Sequence, residues 1–436
     1  KFCQRLFAGL EETAEEPLKD SVVLGSLLPC SGAPASLLLK LVQLSYYGVD
    51  YAGSADDGCE GQHLADCLLG AAREGSTSSL ESLLQTPVYP NYTDDEGRTP
   101  LGSASMHGHA DAVRLLCEAG SDPDQATQNA ATPLVIAADR GHLEVARMLC
   151  EAGANRDKAM QDDRTPLIAA AEGGHLEVCR LLCANGADMD RPDSGGATPL
   201  LRACHHGHYD VVQQLIEAGA DKDKATQNGA TPLVTAVRQG YADIAHLLCR
   251  RGADKDRGEV GGTPLCTAAQ RGNLDIADLL CRAGANKDMG KRDGLTPLSA
   301  AALGGHLEVA QLLFQEGAAL EQAAEDGNTP LHFAASEGHL EVVELLCSAG
   351  VNLDRPRRDD ATPLFLASQR GHEEVVRLLV EADADKDQAT RSGATPLGVA
   401  FEHGHIAVAQ LLAEAGARVG PAQAWQICGL TTRARG

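Results

Sequence analysis

Apolar residues in this chain come in short bursts separated by polar, glycine-bearing links, and the bursts recur at a fixed interval. In one unit Leu134, Ala137 and Ala138, then Val145 and Leu149, stand at three-to-four spacing. That spacing gives each of two short helices a single apolar face, with small alanines allowing close approach. It predicts a first helix over about Pro133 to Asp139, a reversal at Gly141, a second helix over Leu143 to Glu151 and a stop at Gly153. The same pattern returns wherever Thr-Pro-Leu begins: at Thr99, Thr132, Thr165, Thr198, Thr231, Thr263, Thr296, Thr329, Thr362 and Thr395. Every step is 33 residues except one of 32, whose missing residue falls in the loop between Gly252 and Thr263 and leaves the helical faces in register.

Each landmark has a mechanical reading. Thr before Pro starts a helix, because its hydroxyl can accept from an orphan backbone N–H while Pro occupies the first turn, where it needs no donor. Nine residues on comes a Gly, usually followed by His, as at Gly141-His142, Gly305-His306 and Gly371-His372; later comes Leu-Leu-Cys-x-x-Gly-Ala. In most units the polar link carries Gly two residues before Thr, at Gly97, Gly196, Gly229, Gly261, Gly294, Gly327 and Gly393, which suits a tight hairpin-like turn. A helix pair this small cannot bury its apolar face alone, so neighbouring pairs must stack.

The Thr-Pro-Leu start, the Gly-His turn, the Leu-Leu run and the period together make the chain resemble the ankyrin-repeat proteins, over about Asp95 to Val419. The resemblance implies an all-α solenoid of helix-turn-helix units with hairpin-like loops, whose first-helix ends and hairpin tips line a concave groove that grips partner proteins. One departure stands out. The family's His after Thr-Pro-Leu occurs here only as His332, so the Thr-to-His hydrogen bond the family implies is expected in one unit of ten. Asp66 lies 33 residues before Thr99, and residues 62–94 are assigned as a degenerate capping repeat ahead of ten repeats over 95–420. Residues 1–61 are expected to form an acidic arm, with Glu11, Glu12, Glu15 and Glu16 near its start and a partial repeat over 37–61. The tail over 421–436, with Trp425, Ile427 and Leu430, is expected to cover the last repeat.

Composition narrows the functional classes. The 436 residues carry a formal net charge of −24 and only 3% aromatics. A nucleic-acid groove needs basic and aromatic side chains together, so that class is set aside. No stretch reaches the roughly 18 apolar residues of a membrane span. Fourteen cysteines are sparse for a disulfide-stapled chain and point to a reducing compartment, the cytoplasm, with the nucleus as the alternative. The sequence opens on Lys1, so a targeting signal is not assessable. The chain is expected to be a monomer.

Candidate chemistry reduces largely to repeat register. Cys117, Cys150, Cys183, Cys249, Cys281 and Cys347 share one place in their units, which Ile216, Phe314 and Val380 take elsewhere, so they read as small buried hydrophobes. Cys179, Cys183, Cys204, His205, His206 and His208 offer soft zinc ligands, yet most of them sit where other units place ordinary landmarks. Acidic loops such as Asp383-x-Asp385-x-Asp387 lack the Gly and Glu of a calcium loop and read as turn formers. No nucleophile elbow, phosphate loop or zinc-protease motif occurs, and the expectation is a non-enzyme with no metal and no cofactor.

Recognition is best sought where otherwise similar units differ. The seventh and eighth residues after each Thr vary freely, and in the middle of the row they read His205-His206, Arg238-Gln239 and Gln270-Arg271, without an acid. This neutral-to-basic strip in an acidic chain is the candidate site for an acidic or polar protein segment. The expected function is a protein-binding scaffold or adaptor. The alternatives are a substrate-recruiting subunit of a ubiquitin ligase, or the ankyrin part of a larger channel or enzyme.

Overall fold

A computed structural model describes residues 58–86, 88–258 and 261–418. All but the end of the expected acidic arm, and the tail over 421–436, lie outside the described residues. Twenty-two helices and no strand occur among the described residues. They divide into two compact units, one running to Ala170 with Ala184–Ala187, the other comprising Ala171–Cys183 and Asp188 onward.

In the first unit the helices Gly58–Glu74, Pro100–His107 and Pro133–Arg140 pack side by side, each with a partner behind it, Thr77–Leu84, Ala110–Glu118 and Leu143–Glu151. The second unit repeats the arrangement from Pro199–His206 with Tyr209–Ala218 to Pro396–Glu402 with Ile406–Glu414. Each unit is thus an all-α solenoid of stacked helix pairs. Its core is a thin layer in which the Leu of Thr-Pro-Leu and the Val and Leu of the second helix recur as buried residues, for example Leu134, Val145 and Leu149. Each such side chain contributes about 1.5–3 kcal/mol when fully buried.

The ten predicted helix starts all open helices at the Pro. In nine of them the Thr hydroxyl accepts from the backbone N–H three residues on, as from Val135 at 3.3 Å and Gly398 at 3.3 Å. The tenth, Thr329, meets the lone His332: Thr329 Oγ1 lies 2.8 Å from Nδ1, which also accepts from Thr329 N–H at 3.2 Å. In the stretch assigned as a degenerate capping repeat, Asp66, 33 residues before Thr99, lies inside the helix Gly58–Glu74. Cys67 stands where the other units have Pro, and without Pro nothing biases the preceding residue away from helical geometry.

Two ladders stitch neighbouring pairs within each unit. In the Gly-His turns the His Nε2–H donates to the carbonyl 36 residues earlier, as His142 to Met106 at 3.2 Å, His306 to Gln270 at 3.1 Å and His372 to Ser336 at 2.9 Å. In the loops a carboxylate accepts from the backbone N–H 31 residues later, as Asp190 from Asp221 at 2.9 Å and Asp223 from Asp254 at 2.8 Å. The acidic loop residues do form local turns, Asp221 Oδ1 accepting from Asp223 N–H at 2.9 Å, but they also join one loop to the next. The expected hairpin glycines adopt left-handed geometry, except that in the short repeat Gly262, with φ 108°, takes this role and not Gly261. Where Gly is missing, Ala130, Asp163 and Asp360 accept φ of 60–66° in its place.

Candidate functional site

The six strip residues all lie in the second unit, at the ends of the helices Pro199–His206, Pro232–Gln239 and Pro264–Gln270 and, for Arg271, at the last helix's C-cap. These ends face outward because Leu200, Ala203, Cys204, Leu233, Ala236, Val237, Leu265, Ala268 and Ala269 occupy the buried side of the same helices. His205, His206, Gln239, Gln270 and Arg271 are exposed, while Arg238 is half-buried.

Some of the six meet. Gln239 Nε2 lies 3.1 Å from His205 Nδ1, within hydrogen-bond distance. His205 and Arg238 wall one cavity of about 370 Å³. His206 meets the His205 ring edge-on, with centroids 4.9 Å apart, and its Nε2 is 3.6 Å from Glu172 Oε1; partial burial, with His205 beside it, holds its pKa below the usual imidazole value. Gln270 Oε1 accepts from Lys291 Nζ at 2.9 Å, so a further cation joins Arg238 and Arg271 in the strip from the following hairpin.

Two residues of this face escaped the sequence reading. Arg202, four residues after Thr198, also walls the cavity, and its Nε donates at 2.9 Å to Asp193, whose side chain is only 5% exposed. The other is Lys291. Register would have exposed Arg202, since the equivalent place elsewhere holds Ser103, Ile136, Ala169, Thr235, Thr267, Ala300, Phe333, Leu366 and Val399. The imidazole ladder also changes under the strip. Tyr241 and Asn273 stand where other units have His; the Tyr241 ring lies over Gly207, and Asn273 caps its own helix by accepting from Ile276 N–H at 3.1 Å.

The zinc candidates do not converge. Cys204 and Cys179 are buried, and desolvation pushes both thiols up, which keeps them as neutral hydrophobes. His208 donates its Nε2–H to the Glu172 carbonyl at 2.9 Å. Among the described residues no three His, Cys, Asp or Glu are grouped to hold a metal ion. Of the six in-register cysteines, Cys150 and Cys281 are buried, whereas Cys117, Cys183, Cys249 and Cys347 are half-buried at the outer edge of the second helices. No helix among the described residues is long and apolar enough to cross a membrane.

Comparison with known proteins yields a family. The model for ankyrin repeats in three copies matches residues 68–162, 153–226, 219–290, 265–357 and 350–422. An ankyrin repeat protein of Pseudomonas aeruginosa, PA3287, is 45% identical over 56 residues, 13% of this chain and 33% of that protein. Rat oxysterol-binding protein-related protein 1 is 43% identical over 61 residues, 14% of this chain and 6% of that protein. The chain thus spans a third or less of the length of these curated relatives. The crystal structure of the human ASB11 ankyrin repeat domain matches with 31% identity and a TM-score of 0.45, over 50% of this chain and 98% of that one.

Proposed function

Because the chain belongs to the ankyrin-repeat family, whose repeats are generally protein-interaction modules on a fold that is typically a non-catalytic scaffold, we propose that it binds partner proteins through the first-helix ends and hairpin tips of its second unit. The observation that carries this reading is the strip itself: His205, His206, Arg238, Gln239, Gln270 and Arg271, joined by Arg202 and Lys291, in a chain of net charge −24. Stacking explains the shared core positions but not these. A locally basic strip on an acidic protein steers acidic or polar segments towards itself. Affinity would come from several shallow contacts and a few anchors, with the arginines foremost.

The test is capture of partners by the full chain at low and moderate salt, alongside a variant carrying Arg238→Glu and Arg271→Glu. Partners held by the strip should weaken as salt screens exposed charges and should be lost with the double variant. Retention of every partner by that variant, at either salt level, would remove the strip from the recognition surface.

A further inference from the structure

In the second unit the turn between the two helices of a pair is roofed by a ring from the next pair. At Gly174, Gly207, Gly272, Gly305, Gly338 and Gly371 an added Cβ would lie 2.4–2.7 Å from an atom of that ring, and all six glycines are half-buried. Gly240 breaks the row. It is exposed, as is Gly404 in the last described pair, and beyond its chain neighbours the nearest described atom to an added Cβ is Asn273 Nδ2 at 3.9 Å.

The cause is a single side chain. Asn273 stands where eight units have His, and its Oδ1 accepts from Ile276 N–H at 3.1 Å, capping its own helix Leu274–Arg282 instead of reaching over Gly240. Neighbouring pairs stack about 8–10 Å apart, so the gap between the Tyr241 ring on Gly207 and the His306 ring on Gly272 is one ring seat wide. Its floor is a glycine held at φ 83°, left-handed geometry that disfavours any side chain of its own. Two apolar residues beside it in sequence, Tyr241 and Leu274, are exposed. The seat adjoins the strip, for Gln239 precedes Gly240, and Arg271 lies two residues before Asn273, with Lys291 bonded to Gln270. The acids nearest in sequence, Asp243 and Asp275, sit in the first turns of the second helices, a place that is acidic in most units and serves those helix N-termini. The rings over the other six glycines define what fits: five imidazoles and, at Gly207, the phenol of Tyr241. An imidazole that took up a proton would add a cation to a strip already carrying Arg271 and Lys291, whereas a phenol stays neutral and brings an apolar body with a polar tip.

We propose that the seat over Gly240 receives the side chain of a tyrosine carried by an acidic segment of the partner protein. The proposal rests on the protein-binding reading above and names the residue type that reading leaves open. Arg271 and Lys291 attract the carboxylates that flank the tyrosine; the seat selects its ring.

The test uses the full chain and two fluorescein-labelled peptides, Glu-Glu-Tyr-Glu-Glu and Glu-Glu-Ala-Glu-Glu, titrated at low salt. The tyrosine peptide should bind the parent about tenfold more tightly than the alanine peptide, the weight of one aromatic anchor. Asn273→His puts the chain's own ring over Gly240, as in eight other units, and should abolish that preference while helical circular dichroism stays that of the parent. Asn273→Ala gives up the same helix cap but leaves the seat open, so it should keep the preference. Arg271→Glu should weaken both peptides alike. Equal binding of the two peptides by the parent, no binding of either, a preference that survives Asn273→His, or one that Asn273→Ala also loses would each overturn the proposal. If Asn273→His still captures every partner that the Arg238→Glu, Arg271→Glu chain loses, the seat fails and the strip stands. If Asn273→His loses partners that the double arginine variant retains, the seat stands and the charged strip does not.

Discussion

His332 is the one residue that fulfils the family's Thr-to-His pattern, and its surroundings make it a pH-sensitive point in the core. It is fully buried, its Nδ1 facing Thr329 and its Nε2–H donating to the Ala361 carbonyl at 3.3 Å. Burial pushes its pKa down to about 4, against 6.5 for a free imidazole. Between those values the unfolded chain takes up a proton that the folded chain refuses. This contribution is therefore complete above pH 6.5, declines as pH falls through that window and is spent below about 4, a change of at most about 3 kcal/mol. His332→Gln, which cannot titrate, should be less stable than the parent at pH 7, and the gap in urea midpoint should narrow steadily towards pH 4; a gap independent of pH would contradict the buried neutral imidazole. Ala130 offers a second, simpler case. It holds φ at 61° in a place that Gly97, Gly196 and Gly229 fill in other units. A left-handed Ala carries about 1–2 kcal/mol of strain, partly offset by the entropy of a Gly in the unfolded chain. Ala130→Gly should accordingly stabilise the fold by about 0.5–1 kcal/mol, read as a raised thermal midpoint, and a lowered midpoint would show that Ala130 makes a compensating contact.

At the scale of the helix pair, what the sequence disclosed and what it withheld divide along a physical line. Helix starts at Thr-Pro and stops at Gly are set by neighbours within a few residues, so they were legible, and Thr132, Thr198 and Thr362 cap as their spacing implies. The extension of the first helix back to Gly58 was not, because no Thr-Pro marks a start there, Asp66 and Cys67 standing in those two places. The loop carboxylates were read as turn formers, which they are, but bonds such as Asp354 to the Asp385 N–H at 2.7 Å join residues 31 apart and exist only once two pairs have stacked. For the same reason the strip residues were legible as variable positions, while Arg202 was hidden in a helix interior and its buried partner Asp193 in the loop before it. The Gly-His turn allows a direct test of how tightly pairs seat. Gly338 and Gly350 have similar left-handed φ, 80° and 75°. A Cβ at Gly338 would stand 2.5 Å from the His372 Nδ1, whereas one at Gly350 meets nothing within 4 Å. Gly350→Ala should cost only the strain, about 1 kcal/mol. Gly338→Ala should cost more, since His372 must move and lose its bond to Ser336. Equal losses in urea midpoint would mean that the imidazole ladder adds nothing to seating.

Across the second unit, stability should behave as a sum of pair terms and nearest-neighbour terms, since each pair touches only the pairs beside it. The helix Leu274–Arg282 packs against both Ala242–Arg250 and Leu307–Gln315, whereas Ile406–Glu414, the last described helix, packs against Glu373–Glu381 and its own partner Pro396–Glu402. Leu280 and Leu412 are both fully buried, and truncating either to Ala removes the same atoms at a cost of about 2–5 kcal/mol. The consequence differs with position. Leu412→Ala weakens a pair with one described neighbour, so its lost protection from hydrogen exchange should be confined to about residues 396–414. Leu280→Ala weakens a pair on which two neighbours rest, so protection should fall across the helices Ala242–Arg250, Leu274–Arg282 and Leu307–Gln315 together. The bases of the strip run from Arg202 to Lys291, and Arg238 and Arg271 sit on the pairs that Leu280→Ala loosens. Leu280→Ala should therefore also weaken capture of partners held by the strip although it substitutes no strip residue, while Leu412→Ala should leave that capture unchanged. If both variants lost protection uniformly over the unit, the pairs would be opening as one body and the recognition strip would owe its rigidity to global rather than neighbouring contacts.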